Sequence, residues 1–139
     1  MSDCIFCKII AGEIPSYTIY EDALFVAFLD VFPGNLGHAL VVPKVHVADL
    51  FELDTQLVSA AMPVVQRVAK AVQAATGCTG VNILQNNGAD AGQAVFHYHV
   101  HVLPRYAGDG HRLHPTVMAD KPKHEAMTVL ADKIKDLLA

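Results

Sequence analysis

Short apolar stretches between turn residues predict five β-strands. Residues 24–29 (Leu-Phe-Val-Ala-Phe-Leu) are apolar throughout, which is typical of a strand buried on both faces. Pro43 ends the next stretch, because proline cannot donate a hydrogen bond to a central ladder. A turn rich in Gly and Asn, residues 86–92, joins the last two stretches and predicts a β-hairpin. The predicted strands are residues 18–21, 24–29, 38–42, 80–85 and 95–103.

The longest helical pattern lies between the third and fourth predicted strands. Asp54 or Thr55 can cap a helix that runs to about Thr76, with Gly77 as its stop signal. Pro63 predicts a kink in this helix or a short turn before it. The apolar arc is wider than one stripe, so we expect a sheet on one side and a second copy of the chain on the other. The small alanines of the helix and the exposed edge of the fourth strand also favour a homodimer.

Two further helices are predicted near the ends of the chain. Asp3 can cap a helix over residues 4–10, and Gly12 ends it. After Arg105 the sequence is loop-like until residues 123–138, where apolar residues recur along one side of a final helix. We therefore expect an α+β fold, an antiparallel sheet with the long helix packed on it and a C-terminal helix.

Composition and charge exclude several classes of function. At 139 residues and 53% hydrophobic content, the chain fits one domain over residues 1–139. A formal charge of -4 offers no basic surface for nucleic acid. No signal peptide is apparent, and no apolar run approaches the roughly 18 residues of a membrane span. Three cysteines, two of them at C-x-x-C spacing, favour a reduced compartment, so we expect a cytoplasmic protein.

Three histidines at alternate positions mark the last predicted strand. Because strand side chains alternate, His97, His99 and His101 share one face. Histidines that merely decorate a solvated sheet are a poor explanation, since three adjacent imidazoles repel when protonated. The other face then carries the apolar residues, which are Phe96, Tyr98, Val100 and Val102.

Two chemistries can use this row of histidines. One metal ion can take two of the imidazoles, but residues two apart rise by about 6.6 Å, so three in one tetrahedral shell need a distorted strand. Alternatively, a neutral imidazole attacks an electrophile while its neighbours orient it and bind negative charge. The spacing alone leaves both open.

The surrounding motifs resemble the histidine-triad (HIT) superfamily of nucleotide hydrolases and transferases. The resemblance covers most of residues 4–106, and residues 107–139 are a variable tail. The chain looks closer to the bacterial members. The matching elements are residues 29–31 (Leu-Asp-Val), 37–46 (Gly-His-Ala-Leu-Val-Val-Pro-Lys-Val-His), 85–88 (Gln-Asn-Asn-Gly), 92–93 (Gly-Gln) and the triad itself.

The resemblance implies a role for each histidine of the cluster. His99 would attack the α-phosphorus of a nucleotide conjugate and form a nucleotidyl-histidine intermediate that water resolves. His101 would bind phosphate oxygens and assist the leaving group. His97 would support the array, and His38, on the neighbouring strand, would complete it.

The resemblance also implies a nucleotide pocket. Asp30 would receive the ribose hydroxyls, which a carboxylate accepts well, with Val31 near the sugar and base. Phe6 and Ile10 are candidates for the base pocket. Small residues and amide side chains before the triad would meet the phosphate. They are Asn86, Gly92, Gln93, Ala94 and Val95.

Two departures separate the chain from one branch of the family. Ala94 stands where that branch has a serine, so a hydroxyl contact to the phosphate is lost. The chain has no Trp and continues as Pro104-Arg105-Tyr106 where that branch has a Trp-containing tail. These departures weaken the basis for transferring a purine phosphoramidate preference from that branch.

Some relatives hold zinc with residues that match Cys4, Cys7, His46 and His97. Two thiolates and two imidazoles make a closed structural zinc shell. A pair of reduced cysteines is the alternative, because a lone C-x-x-C has low specificity.

Two other functions remain open beside the nucleotide hydrolase. One is an adaptor that binds nucleotide with little turnover, and the other is a zinc-dependent hydrolase that uses the histidine row as its metal site.

Three further histidines, His111, His114 and His124, lie in the variable tail and are expected to be surface histidines. Catalysis itself is expected to need no cofactor.

Overall fold

The computed structural model describes residues 3–113 and 117–139. His114, one of the predicted surface histidines, lies outside the described residues. The elements in chain order are α1 (Ile5–Ile10), β1 (Thr18–Glu21), β2 (Phe25–Leu29), β3 (Ala39–Pro43), α2 (Thr55–Thr76), β4 (Gly80–Leu84), a 3-10 turn (Ala89–Ala91), β5 (Val100–Arg105) and α3 (His124–Leu138).

The five strands form one antiparallel sheet in the order β1-β2-β3-β5-β4. All five predicted strands are present, and β4 and β5 pair as the predicted hairpin, with Leu84 opposite His101. β3 pairs with β5 so that Leu40 faces His101. This pairing brings the loop before β3 next to the triad, although the two are about 60 residues apart in sequence.

The central strands β2 and β3 are buried on both faces of the sheet. Phe25 and Ala27 point toward α2, whose valines cover that face. Val26 and Phe28 alternate with them and point toward α1, where they pack with Phe6. The burial on both faces that the apolar run predicted for this strand is thereby confirmed over residues 25–28, whereas Leu24 is exposed.

The ends of α2 follow the predicted signals. Asp54 caps the helix by accepting the Gln56 N–H at 2.8 Å, and Gly77 ends it in the left-handed region at φ 68°. Pro63 lies inside the continuous helix, so no separate turn precedes it. Gly37 fits beside the C-terminal end of the helix only because it has no side chain. At its φ of 99°, a Cβ would lie 2.8 Å from Thr76 Cγ2.

Two local predictions are wrong. The cap of α1 is Cys4, whose Sγ accepts the Cys7 N–H at 3.4 Å, and not Asp3. β5 begins at Val100 rather than at residue 95, because tertiary hydrogen bonds replace strand pairing over residues 95–99. Tyr98 N–H, for example, donates to the Val47 carbonyl at 2.8 Å.

The C-terminal helix α3 is present as predicted, but none of its residues is buried. Its apolar side chains are exposed, including Val129 and Leu130. Among the helices of the described ranges, none is long and apolar enough to cross a membrane.

Candidate active site

An apolar cavity of about 430 Å³ lies between α1 and the sheet face opposite α2. Phe6 and Phe28 form part of its hydrophobic wall. A volume of this size, with a hydrophobic wall and a few polar groups, is typical of a small-molecule site. The polar side chains on the wall come from Ser16, Asp30, Asn86, His99 and His101.

His99 is held with one ring nitrogen free. Its Nδ1 lies 2.7 Å from the His97 carbonyl oxygen, which can only accept, so Nδ1 carries the hydrogen. Nε2 of the neutral ring then has a free lone pair. Burial lowers the pKa of His99 below its ordinary value, which keeps the ring neutral. The Phe6 ring packs against it nearly at right angles, at a centroid distance of 5.1 Å.

His38 and His101 form a second fixed pair. Gly34 N–H donates to His38 Nδ1 at 3.0 Å, so the hydrogen of neutral His38 is on Nε2. Nε2–H donates in turn to His101 Nδ1 at 2.9 Å. His101 therefore carries its hydrogen on Nε2. Burial, followed by the charges of His99 and His38, lowers the pKa of His101 to about 4.

Asp30 lies beside this pair on the wall of the cavity. Its Oδ1 accepts the Phe32 N–H at 2.9 Å, and its Oδ2 lies 3.8 Å from His38 Nε2. The position is compatible with the predicted contact to ribose hydroxyls. Val31 also lines the cavity and is 64% exposed.

Four of the five residues predicted to bind phosphate line the cavity: Asn86, Gly92, Ala94 and Val95. The fifth, Gln93, is buried and does not. Its Nε2 donates to the Ala48 and Val95 carbonyls, and its Oε1 accepts the Gly88 N–H. The amide is fully used by the backbone, so Gln93 shapes the turn instead of presenting a donor.

One of the two predicted base-pocket residues, Ile10, does not line the cavity. Ile10 packs at the margin of the apolar cluster under α1, whereas Ile5 and Ile9 line the cavity. Ile5 and Ile9 are four residues apart on one helix face, and this spacing was the available signal. Ile14 and Leu40 also line the cavity and were missed.

The predicted metal ligands do meet, in a cluster around His97. His97 is fully buried, and its Nε2–H donates to the Pro43 carbonyl at 2.8 Å, which leaves the Nδ1 lone pair free. That Nδ1 lies 3.2 Å from His46 Nδ1 and 3.4 and 3.5 Å from the sulfurs of Cys4 and Cys7.

These separations fit a tetrahedral ion. Zinc at ordinary bond lengths requires about 3.4 Å between two nitrogens and about 3.6 Å between nitrogen and sulfur. Two thiols and two imidazoles are also the ligand types that structural zinc takes. The residues present therefore fit the metal by both spacing and chemistry.

Asp30, His38 and His101 also lie close enough together to hold a metal ion. The hydrogen bonds disfavour such a site. Because Gly34 N–H occupies the lone pair of His38 Nδ1, coordination through Nε2 would require His38 to lose both ring hydrogens. Of the two chemistries that the spacing left open, this argues against a metal ion held by His38 and His101.

The apolar residues between the histidines were predicted to lie on the opposite face from the triad, and this is correct for three of the four. Tyr98, Val100 and Val102 pack in the core beside α2, away from the three histidines. Phe96 is the exception, because it is half exposed and lies outside that core.

The whole arrangement matches a known domain family. The HIT domain model covers residues 11–108, more than half of the chain. The chain belongs to the HIT family. This HIT protein is 43% identical over 138 residues to "Protein hit" of Bacillus subtilis, covering 99% of this chain and 95% of the relative. It is 46% identical over 102 residues to the adenosine 5'-monophosphoramidase hnt1 of Schizosaccharomyces pombe, covering 73% and 74%.

Solved structures of HIT proteins share the fold. A HIT family member from Bacillus subtilis has a TM-score of 0.90 and 42% identity, covering 99% of this chain and 98% of that one. A Zn-bound histidine triad family protein from Mycobacterium smegmatis has a TM-score of 0.75 and 36% identity, covering 98% and 96%. The predicted fold class and family resemblance are thereby confirmed.

Proposed function

We propose that this HIT protein is a nucleotide-binding hydrolase or transferase that acts at the α-phosphorus of nucleoside monophosphate conjugates, either phosphoramidates or dinucleoside polyphosphates. The observation that carries the proposal is the free Nε2 lone pair of His99 at the wall of the cavity. The His97 carbonyl holds it there by accepting from Nδ1 at 2.7 Å. A neutral, oriented imidazole is a competent nucleophile.

The first step forms a bond between His99 Nε2 and the α-phosphorus and breaks the bond to the leaving atom. The electron pair of the broken bond goes to the leaving atom, and an amine nitrogen in this position also takes up one proton from solvent. His101 Nε2–H donates a hydrogen bond to the negative charge that develops on this atom or on the phosphate oxygens. His38 assists through His101, to which it donates at 2.9 Å.

Water completes the reaction. It attacks the phosphorus of the nucleotidyl-histidine, the nitrogen–phosphorus bond breaks, and its electron pair returns to Nε2. One proton of the water goes to solvent. The products are the nucleoside monophosphate and the free enzyme, and another acceptor in place of water makes the reaction a transfer.

The cavity supports a nucleotide as the substrate. Phe6, Ile9 and Phe28 offer an apolar wall for a base, and Asp30 offers a carboxylate for ribose hydroxyls. Asn86, which lines the cavity, offers a side-chain amide as a donor for the phosphate. The phosphoramidase name of the fission-yeast relative gives further support.

A trapping experiment tests the mechanism. Wild-type protein mixed with α-³²P-labelled AMP conjugates should form an acid-labile, phosphatase-resistant labelled enzyme within a single turnover. His99→Ala should form none and should lose turnover by about 10³-fold or more, because no other imidazole can attack from that position. Near-normal turnover in His99→Ala would reject the mechanism. Tight AMP binding without turnover of any conjugate would favour the adaptor.

We propose a structural zinc ion held by Cys4, Cys7, His46 and His97. The ligand spacing and the Zn-bound relative support it. The ion would supply no step of the reaction. A closed shell of four protein ligands would tie α1, and with it the Phe6 wall of the cavity, to the triad segment.

We also propose that the protein is a homodimer. A shallow apolar groove on the outer side of α2 runs onto the edge strand β4. Exposed hydrophobic surface of this kind, next to an unpaired strand edge, is a typical subunit interface. The residues that form the groove are Met62, Pro63, Val65, Gln66, Ala69 and Ile83.

We further propose a cytoplasmic location, which the reduced cysteines fit.

A further inference from the structure

A hydrogen-bonded cluster behind the catalytic histidines joins the end of β5 to the loop before β3. Arg105 forms a two-point ion pair with Asp109, with Nε and Nη2 each 2.8 Å from a carboxylate oxygen. The side chain of Asp109 is only 8% exposed, and the guanidinium beside it holds its pKa well below the usual range. A bidentate pair has a fixed geometry, so it is a rigid anchor for the segment after β5.

The ion pair holds His111 from both sides. Asp109 Oδ1 accepts the His111 backbone N–H at 3.1 Å, and Arg105 Nη2 donates to the His111 carbonyl at 2.9 Å. The His111 imidazole reaches back over the loop before β3, where Nε2–H donates to the Gly34 carbonyl at 2.7 Å. Asp109 also accepts from Asn35 Nδ2 at 3.0 Å, so the loop is attached at two consecutive residues.

Gly34 connects this cluster to the catalytic pair. Its N–H donates to His38 Nδ1 at 3.0 Å, and His38 Nε2–H donates to His101 Nδ1. Gly34 itself is exposed, so its peptide groups are oriented by hydrogen bonds more than by packing against neighbouring residues. The Gly34 N–H determines which ring nitrogen of His38 carries the hydrogen. The tautomer of His38 then determines which ring nitrogen of His101 carries its hydrogen.

We propose that His111 is a positioning residue for the catalytic histidine pair. By holding the Gly34 carbonyl, it keeps Gly34 N–H directed at His38 and so keeps the hydrogen of His101 on Nε2, where the leaving atom needs it. The inference rests on the proposed function of His101. Without His111 the loop can turn away, His38 can take its other tautomer, and the hydrogen of His101 then sits on Nδ1.

Nitrogen NMR of histidine-labelled protein tests the tautomers directly. Long-range ¹H–¹⁵N correlations should show His38 and His101 in the Nε2–H form in wild type and as a tautomer mixture in His111→Leu. His111→Gln keeps an N–H donor and should restore the single tautomer. His124→Leu makes the same substitution on the exposed helix α3 and is the matched control.

Kinetics on two leaving groups tests the consequence for catalysis. A leaving amine depends on the hydrogen bond from His101, whereas p-nitrophenolate departs without help. His111→Leu should slow an AMP alkylphosphoramidate by about 10-fold or more and AMP p-nitrophenyl ester by less than about 2-fold, since aligned proton donors contribute rate mainly to poor leaving groups. His111→Gln should recover most of the loss.

Failure of this proposal can be distinguished from failure of the proposed function. An unchanged tautomer pattern in His111→Leu, or an equal loss of rate on both substrates, overturns the proposal. If wild type cleaves neither substrate, the proposed function fails, and the NMR result still decides whether His111 sets the tautomers. If His111→Leu does not fold by circular dichroism, Asp109→Asn, which weakens the anchor of His111, is measured in the same way and should give a partial mixture.

Discussion

Replacing His101 with glutamine tests how buried imidazoles control the acid stability of this HIT protein. In the native state, burial and the neighbouring histidines lower the pKa of His101 to about 4, against an ordinary value of 6.5. Above pH 6.5 the ring is neutral in both native and unfolded chains, so it adds no pH dependence. Between that value and pH 4 the unfolded chain binds a proton that the native protein does not. Stability therefore falls as the solution is acidified through this window.

The size of the effect follows from the difference in pKa. At about 1.4 kcal/mol per pKa unit, His101 alone would cost about 2 kcal/mol between neutral pH and about pH 5. The ring is partly accessible to solvent, which screens the charge, so about 1 kcal/mol is the better expectation. Glutamine has no titratable group, while its side-chain oxygen can still accept from His38 Nε2–H.

Urea unfolding at a series of pH values measures this contribution. The free energy of unfolding of wild type should fall by about 1 kcal/mol more than that of His101→Gln between neutral pH and about pH 5. Both proteins keep the four metal ligands, so acid-induced loss of metal contributes equally and cancels in the difference. His124→Gln, on the exposed helix α3, controls for loss of a histidine. Parallel pH curves for wild type and His101→Gln would refute the reasoning.

Three further changes test other parts of the molecule. The double variant Cys4→Ala/Cys7→Ala should lose the zinc that metal analysis finds in wild type and should melt at a lower temperature than His99→Ala; metal-free wild type would restore the reduced-cysteine alternative. Ala69→Glu buries a carboxylate in the outer groove of α2 and should dissociate the dimer in sedimentation velocity, whereas the exposed Ala71→Glu should not. Gly37→Ala should cost about 1–3 kcal/mol in urea unfolding, because of its positive φ and the clash with α2; an unchanged midpoint would contradict the close approach.

Local pattern in the sequence was enough to predict the elements and the family. Period-two and continuous apolar runs predicted all five strands, and the cap and stop residues of α2, Asp54 and Gly77, are both where the pattern placed them. These features depend on a few residues that are neighbours in the chain, so each can be predicted from one short segment of the sequence. The triad motif adds a chemical signal that is strong because strand geometry alone puts alternate side chains on one face.

The sequence could not decide features that depend on contacts between distant segments. Gln93 reads as a phosphate donor, yet its amide is used by the Gly88, Ala48 and Val95 backbone, which only the folded turn brings near. Residues 95–99 have strand character, but hydrogen bonds to other segments replace the ladder there. Ile9 rather than Ile10 lines the cavity because the orientation of α1 is set by packing on the sheet.

The protonation state of the site belongs wholly to the tertiary structure. In sequence, His38, His99 and His101 are three equivalent imidazoles with equal chances of holding hydrogen on either nitrogen. In the folded protein the His97 carbonyl fixes the hydrogen of His99 on Nδ1. The Gly34 N–H fixes the hydrogen of His38 on Nε2, and His38 in turn fixes the hydrogen of His101 on Nε2. Only pairing of β3 with β5 brings the second set together, and burial then keeps the rings neutral. The sequence therefore determined which residues are chemically able to act, and the fold decided which nitrogen of each is free, because a tautomer is set by neighbours in space and not by neighbours in the chain.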